Sequence, residues 1–206
     1  MIKDINIIIP LRDENEQAEI TVRLLNEELK NLKKKFFITL IDDHSTDTTW
    51  DLLNKLKEKY NNIEIFKNEY NVGYGNAVRC GIEKNKCDSV VFFMGDCSDN
   101  PQDIKTYVDY LDQGFDCVFG SRFIKNSKVV DYPFLKLFLN RIANNLIRLL
   151  FLTKYNDVTN AFKAYKKELL INFKPILSEH FNINAELALK AISRGYKYKV
   201  VPISWM

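Results

Sequence analysis

Five consecutive residues, Val90 to Met94, are β-branched, aromatic or otherwise apolar, and the run then breaks into Gly95, Asp96, Asp99 and Pro101. An apolar run without polar alternation suits a strand buried on both faces, as in a parallel sheet covered by helices. In such a sheet ligands bind in the crevice outside the carboxyl ends of the strands. Asp96 therefore stands where a cation or a diphosphate would be held. Asp99 reads either as a second ligand or as a capping residue of the helix that Pro101 begins.

On both sides of this strand the chain alternates between strand and helix patterns. Residues 5–10, INIIIP, predict a first strand that stops at proline, followed by a helix with Ile20, Leu24, Leu25 and Leu29 on one face. Residues 36–41, FFITLI, predict a second strand, a helix from about Thr48 carries Leu52, Leu53 and Leu56 inward, and residues 63–66 form a short third strand. This βαβαβ opening predicts a doubly wound, nucleotide-binding sheet. Gly73 and Gly75 precede a helix bearing Ala77, Val78 and Ile82; G-x-G-x-x-G is incomplete here, so a plain turn is the default. Further on, a helix with Ile104, Tyr107, Val108 and Leu111 leads to strands at 117–120 and 161–165. A helix over 184–194 then ends at Gly195, and residues 198–204 read as a last strand.

A length of 206 residues suits one domain with a substantial core, and 28% charged residues beside 46% apolar ones describe a globular chain. Thirty basic and 27 acidic residues nearly cancel, so charge gives no reason to expect a nucleic-acid partner. Cys80, Cys87, Cys97 and Cys117 have no C-x-x-C spacing and read as free thiols of a reducing compartment. No signal-peptide pattern opens the chain, and no apolar run reaches the roughly 18 residues of a membrane span. These features predict a cytoplasmic protein. Residues 134–152 are dense in Leu, Ile and Phe but interrupted by Lys136, Arg141 and Arg148. They read either as an amphipathic helix lying in a membrane interface, basic residues toward anionic headgroups, or as a core-packing helix.

Four blocks in order resemble the family-2 glycosyltransferases, most closely the dolichol-phosphate mannose synthase and polyprenyl-phosphate sugar transferase branch. They are IIIPLRDENE, LIDDHSTDTTW, VVFFMGDCSDNP with GSRF after it, and DVTNAFKAYKKE followed by INAELALKAISRGYKYKVVPIS. The resemblance implies an α/β fold of the GT-A type, a Rossmann-like, mostly parallel mixed sheet with helices on both faces. It implies a single catalytic domain over 1–206, with a nucleotide-sugar half at 1–120 and an acceptor-side half at 121–206. The activity implied is inverting transfer of a hexose from a UDP- or GDP-sugar to a polyprenyl or dolichyl phosphate, by an enzyme peripheral to the cytoplasmic membrane face.

Carried over by motif, Pro10, Arg12 and Glu14 would contact the nucleotide, with Arg12 in place of the usual tyrosine. Asp43 would read the nucleoside, with Asp42 beside it as a further nucleotide contact or a support, and Gly73 and Gly95 would lie against the donor. Asp96 matches the second aspartate of the Asp-x-Asp metal motif. The first is replaced by Met94, whose thioether suits Mg²⁺ or Mn²⁺ poorly, so a cation would rest on Asp96, Asp99 and the diphosphate. Arg122 would stabilise the leaving diphosphate. Asp157, Asn160 and Lys163 match the block lining the acceptor side, and Asp157 and Glu186 are the carboxylates available as a base. A lipid phosphate is already anionic and needs no strong base, whereas a sugar hydroxyl on a lipid-linked or capsular glycan does. A nucleotide-sugar-binding module without transfer activity is the reading from another class. The family pattern continues past Met206 into a basic loop, Arg-x-x-Gly-x-Ser-Lys, so the expectation is a truncated chain or an incomplete acceptor site.

Overall fold

The apolar runs become strands of one sheet. The computed structural model describes residues 1–205, in the order β1 (Asp4–Leu11), α1 (Asn15–Leu29), β2 (Lys35–Asp42), α2 (Thr49–Lys59), β3 (Ile63–Lys67), α3 (Tyr74–Lys84), β4 (Ser89–Phe92), α4 (Asp103–Asp112), β5 (Cys117–Ser121), β6 (Lys128–Val129), α5 (Phe134–Leu150), β7 (Lys163–Lys166), α6 (Lys167–Asn172), α7 (Ile183–Ser193), β8 (Tyr198–Pro202) and β9 (Ser204–Trp205). Seven strands form a sheet in the order β3-β2-β1-β4-β7-β5-β8, and β6 pairs with β9 apart from it. Every strand of the large sheet is parallel except β7, which runs antiparallel to both β4 and β5.

Side chains alternate across the sheet, so β1 feeds two cores. Ile5, Ile7 and Ile9 pack with Val22, Leu25, Leu53 and Ile104 from α1, α2 and α4. Ile8 faces the other way, onto Val78, Val90, Phe92 and Leu187, in the layer covered by α3, α6 and α7. Each such side chain contributes roughly 1.5–3 kcal/mol when fully buried, which makes the two layers the main source of stability.

Several elements depart from the pattern expected from sequence. β1 continues through Pro10 to Leu11, because its pairing with β4 ends at Ile8 opposite Phe92 and the proline has no β4 partner to deprive of a bond. Phe93 and Met94 accordingly lie past the end of β4. The inward stripe of α1 is Ala18, Val22, Leu25 and Leu29, and Ile20 is exposed. β7 begins at Lys163, not at 161, and is an interior strand. The expected last strand divides at Ile203, where the chain leaves β8 and joins β6 as β9.

Gly73 and Gly75 are required by another segment of backbone. A Cβ on Gly75 would stand 2.5 Å from the Ser178 carbonyl oxygen and 2.8 Å from that of His180, and one on Gly73 would stand 2.5 Å from the Glu179 carbonyl oxygen. The Asn76 amide donates to the same Glu179 carbonyl. The start of α3 is therefore a cradle for the chain between α6 and α7. Gly75→Ala is expected to destabilise the protein by about 1–3 kcal/mol, the usual penalty for overpacking against backbone, measured as a shift in urea midpoint at unchanged slope.

Candidate active site

Three strand ends and one long connection meet at a cavity of about 310 Å³. β1 delivers Pro10, Leu11 and Arg12, and the chain turns through a left-handed Asp13 (φ 54°) to set Glu14 before α1. Asp43 follows β2, Met94, Gly95 and Asp96 follow β4, and Val72, Gly73 and Tyr74 lead into α3. The last wall is His180 and Phe181, from the segment between α6 and α7. The cavity thus lies outside the carboxyl ends of β1, β2 and β4, the crevice that an open α/β sheet offers a ligand.

Asp43 ties two walls together. Its carboxylate accepts from the Gly73 amide at 3.0 and 3.1 Å and from the Asn68 side-chain amide at 2.7 Å. An ionised carboxylate has about four acceptor positions, so capacity remains on the side that faces the cavity. Asp96 stands exposed at the tip of its turn, where one oxygen accepts from the Ser98 amide at 3.0 Å. Glu14 shares the cavity with it. Burial, then the charges of Asp96 and Asp47, push the Glu14 carboxyl above its usual range. The fixed cation here is Arg12, half exposed and only 4.0 Å from Asp13, a pair that contributes little.

Among the described residues no group of three His, Cys, Asp or Glu side chains could hold a metal ion unaided. Glu14 and Asp96 can do so with help, because Mg²⁺ is commonly held by one or two carboxylates together with phosphate oxygens and water. Asp99, expected as the second ligand, does not line this cavity. It is buried, neither oxygen finds a hydrogen-bond partner, and burial followed by the Asp96 charge pushes its carboxyl up to about 7.

Asp42, Arg122, Asp157, Asn160, Lys163 and Glu186, also singled out from the sequence, do not line this cavity. Asp42 ends β2 and accepts from the Ser45 amide at 3.3 Å. Arg122 and Asp157 are spent on each other. The guanidinium bonds both carboxylate oxygens at 2.7 and 2.8 Å, the Arg122 amide adds a third bond at 2.9 Å, and the rings of Phe123, Tyr132 and Trp205 surround the cation. Asn160 bonds the Gly120 carbonyl. Lys163 is buried, and its Nζ donates to the carbonyls of Val158, Asn160 and Asn184, matching three donors to three acceptors. Burial nonetheless pulls the Lys163 ammonium down to about 7.

Glu186 is a clamp. It accepts from the amides of Leu177 and Ser178 and from the Lys190 ammonium, and so holds the segment that carries His180 and Phe181. Burial would raise its carboxyl, but the Lys190 and Ser178 bonds outweigh that and bring it from 4.5 to about 2. A carboxylate held that low is a poor base at neutral pH.

A nearly parallel sheet with one reversed strand, and a carboxylate-lined crevice at its strand tips, is the arrangement of the GT-A glycosyltransferases. Residues 6–173 match Glycosyl transferase family 2, and the chain belongs to that family. It is 25% identical over 205 residues to the polyprenol monophosphomannose synthase of Mycolicibacterium smegmatis, a match spanning 97% of this chain and 76% of that protein. It is 28% identical over 204 residues to the dolichol-phosphate mannosyltransferase of Pyrococcus furiosus, spanning 97% of this chain and 55% of that one. Glucosyl-3-phosphoglycerate synthase from Mycobacterium tuberculosis, solved with Mn²⁺, UDP and phosphoglyceric acid, shares the fold with a TM-score of 0.77 at 15% identity, covering 98% of this chain and 69% of that structure.

The low pKa of Glu186 has a measurable consequence. Its folded value lies below its unfolded one, so its stabilisation is present above about pH 4.5 and is lost as pH falls toward 2. Urea midpoints taken from pH 6 to pH 2.5 should fall more shallowly in Glu186→Gln than in the wild type.

Proposed function

We propose that the protein transfers a hexose, with inversion, from a UDP- or GDP-sugar to a polyprenyl phosphate at the cytoplasmic face of a membrane. The observation that carries the lipid acceptor is the orientation of α5. Its one buried residue is Asn144, which bonds Thr159 together with Asn140, while Arg141 turns inward to the Asn156 carbonyl and lies over the Phe123 ring. The apolar side chains face out: Phe134, Leu135, Leu139, Leu146, Leu149 and Leu150 are all more than half exposed. A core-packing helix would have the opposite arrangement. Among the described residues no helix is long and apolar enough to cross a membrane, so α5 would lie on the bilayer surface, with Lys136 and Arg148 toward the headgroups and Arg141 kept by the protein.

The site chemistry supports the same acceptor. A phosphate oxygen would attack the anomeric carbon, forming the new carbon–oxygen bond as the bond to the β-phosphate breaks and the nucleoside diphosphate leaves with the electron pair. No proton has to be removed. A sugar hydroxyl would need a base, and the two carboxylates best placed by sequence, Asp157 and Glu186, are both fully engaged. Asp43 would hold the nucleoside. Glu14 and Asp96, otherwise repulsive to a diphosphate, would hold the divalent cation, which supplies neutralisation of the leaving charge.

Two measurements test this reading. With UDP- and GDP-hexoses, Mn²⁺ and polyprenyl phosphate in detergent, the protein should form a polyprenyl phosphohexose. Asp43→Ala and Asp96→Ala should each lower the rate about tenfold to a hundredfold, the usual cost of losing a charge-assisted bond. Product formed only on a glycan hydroxyl would overturn the acceptor. Separately, the protein should sediment with vesicles of phosphatidylcholine and phosphatidylglycerol, and Leu139→Glu with Leu146→Glu should abolish this without changing the melting temperature.

A further inference from the structure

Asp43 is the buried carboxylate of the cavity, and most of its acceptor positions are already taken. The Gly73 amide lies almost equally far from its two oxygens, 3.1 Å from Oδ1 and 3.0 Å from Oδ2. A donor so placed occupies the edge between the oxygens, the edge on which two parallel N–H groups would have to approach. The Asn68 side-chain amide takes a further position on Oδ1 at 2.7 Å. A carboxylate has about four acceptor positions, so what is left to a ligand is one position on Oδ2.

The two donors belong to a loop that is itself tied down. The Asn68 side chain accepts from the Tyr70 amide at 3.0 Å and donates to the Asn71 carbonyl at 3.1 Å, and the His44 ring bonds the Tyr70 carbonyl at 2.8 Å. Gly73 is packed against Glu179 and His180. A ligand therefore meets the carboxylate with its edge filled, since freeing that edge would mean moving Gly73 out of its cradle.

A base read by this carboxylate can give it one N–H and no more. Uracil does so: it has a single ring N–H, set between two carbonyls. Guanine presents a ring N–H and an amino group side by side, a pair that suits an open carboxylate edge and here finds that edge occupied by Gly73. With its ring N–H on Oδ2, its amino group would have no position left on Asp43, and a buried donor without a partner is costly. The uracil carbonyls need donors in turn. The imidazole of His180 lies against Gly73, its Nδ1 3.1 Å from the point where a Cβ would stand, and brings an N–H to the same wall of the cavity.

We infer that the cavity selects uridine over guanosine, because Asp43 keeps one acceptor position where guanine needs two. The inference rests on the proposed nucleotide-sugar donor, with Asp43 at its base, and narrows that donor to a UDP-sugar.

The experiment is calorimetric titration of the full chain, with Mn²⁺, by UDP, 3-methyluridine diphosphate, GDP and inosine diphosphate. UDP should bind about tenfold more tightly than GDP, and about tenfold more tightly than 3-methyluridine diphosphate, whose ring N–H is gone. Inosine diphosphate, which is GDP without the amino group, should bind more tightly than GDP. In Asp43→Ala, UDP and its 3-methyl analogue should bind alike. GDP binding as tightly as UDP, GDP binding more tightly than inosine diphosphate, or a methyl group without effect on the wild type would each overturn the selection and leave the nucleotide-sugar donor standing. A wild type that binds none of the four would overturn the donor reading itself, and the selection with it. The comparisons among nucleotides need only the wild type, so they decide the matter even where Asp43→Ala fails to fold.

Discussion

One wall of the cavity is carried by a loop that an ionised carboxylate holds in place. Glu186 takes the amides of Leu177 and Ser178 and the ammonium of Lys190, and the segment so held lies in the cradle left by Gly73 and Gly75. That clamp acts together with the Asn76 amide, which donates to the Glu179 carbonyl, to bring His180 and Phe181 from the far half of the chain onto the strand tips. The nucleotide side and the later half are thus joined by backbone packing at two glycines and by charge at one glutamate. This is a close fit that leaves no room for a methyl group, as close-packed interiors generally do not.

The site's charge follows from how its cations are used. Arg122, Lys163 and Lys190 are all engaged with carboxylates or carbonyls of the protein. The cavity is left with Glu14, Asp43 and Asp96, against a half-exposed Arg12 and His180. A crevice of that sign does not attract a diphosphate by itself. The glucosyl-3-phosphoglycerate synthase of M. tuberculosis, which shares the fold, was solved with UDP and Mn²⁺ or Mg²⁺.

Much of the fold was legible in the sequence because buried parallel strands are uninterrupted apolar runs, and those at 5–10, 36–41 and 89–94 stood out against polar loops. Asp96 was legible for the same reason, being the first carboxylate past the 89–94 run, and Asp42 and Asp43 follow the 36–41 run together. β7 was placed two residues early because Ala161 and Phe162 continue the apolar pattern into it, whereas the strand begins at Lys163, a buried lysine that spends its charge on three carbonyls. Ile20 was placed inward because apolar residues on α1 allow two overlapping stripes, and packing against the sheet selects the one through Ala18 and Val22. His180 and Phe181 had no local signal. Their only trace was the Gly73 and Gly75 pair, which marked a close approach without naming what approaches.

The polar side of α5 reaches the machinery of the fold by a short chain of bonds. Asn140 and Asn144 hold Thr159, Thr159 belongs to the turn that carries Asp157 and Asn160, and these hold Arg122 and Gly120 at the tip of β5. If the outer face of the helix is covered as proposed, the surrounding dielectric would fall and each bond would become harder to break. Under the proposed lipid contact, adhesion and rigidity would be a single event: the surface that takes up the helix would also stiffen the strand end beneath it, so the free and attached protein would differ in how firmly this end is held without any change of shape.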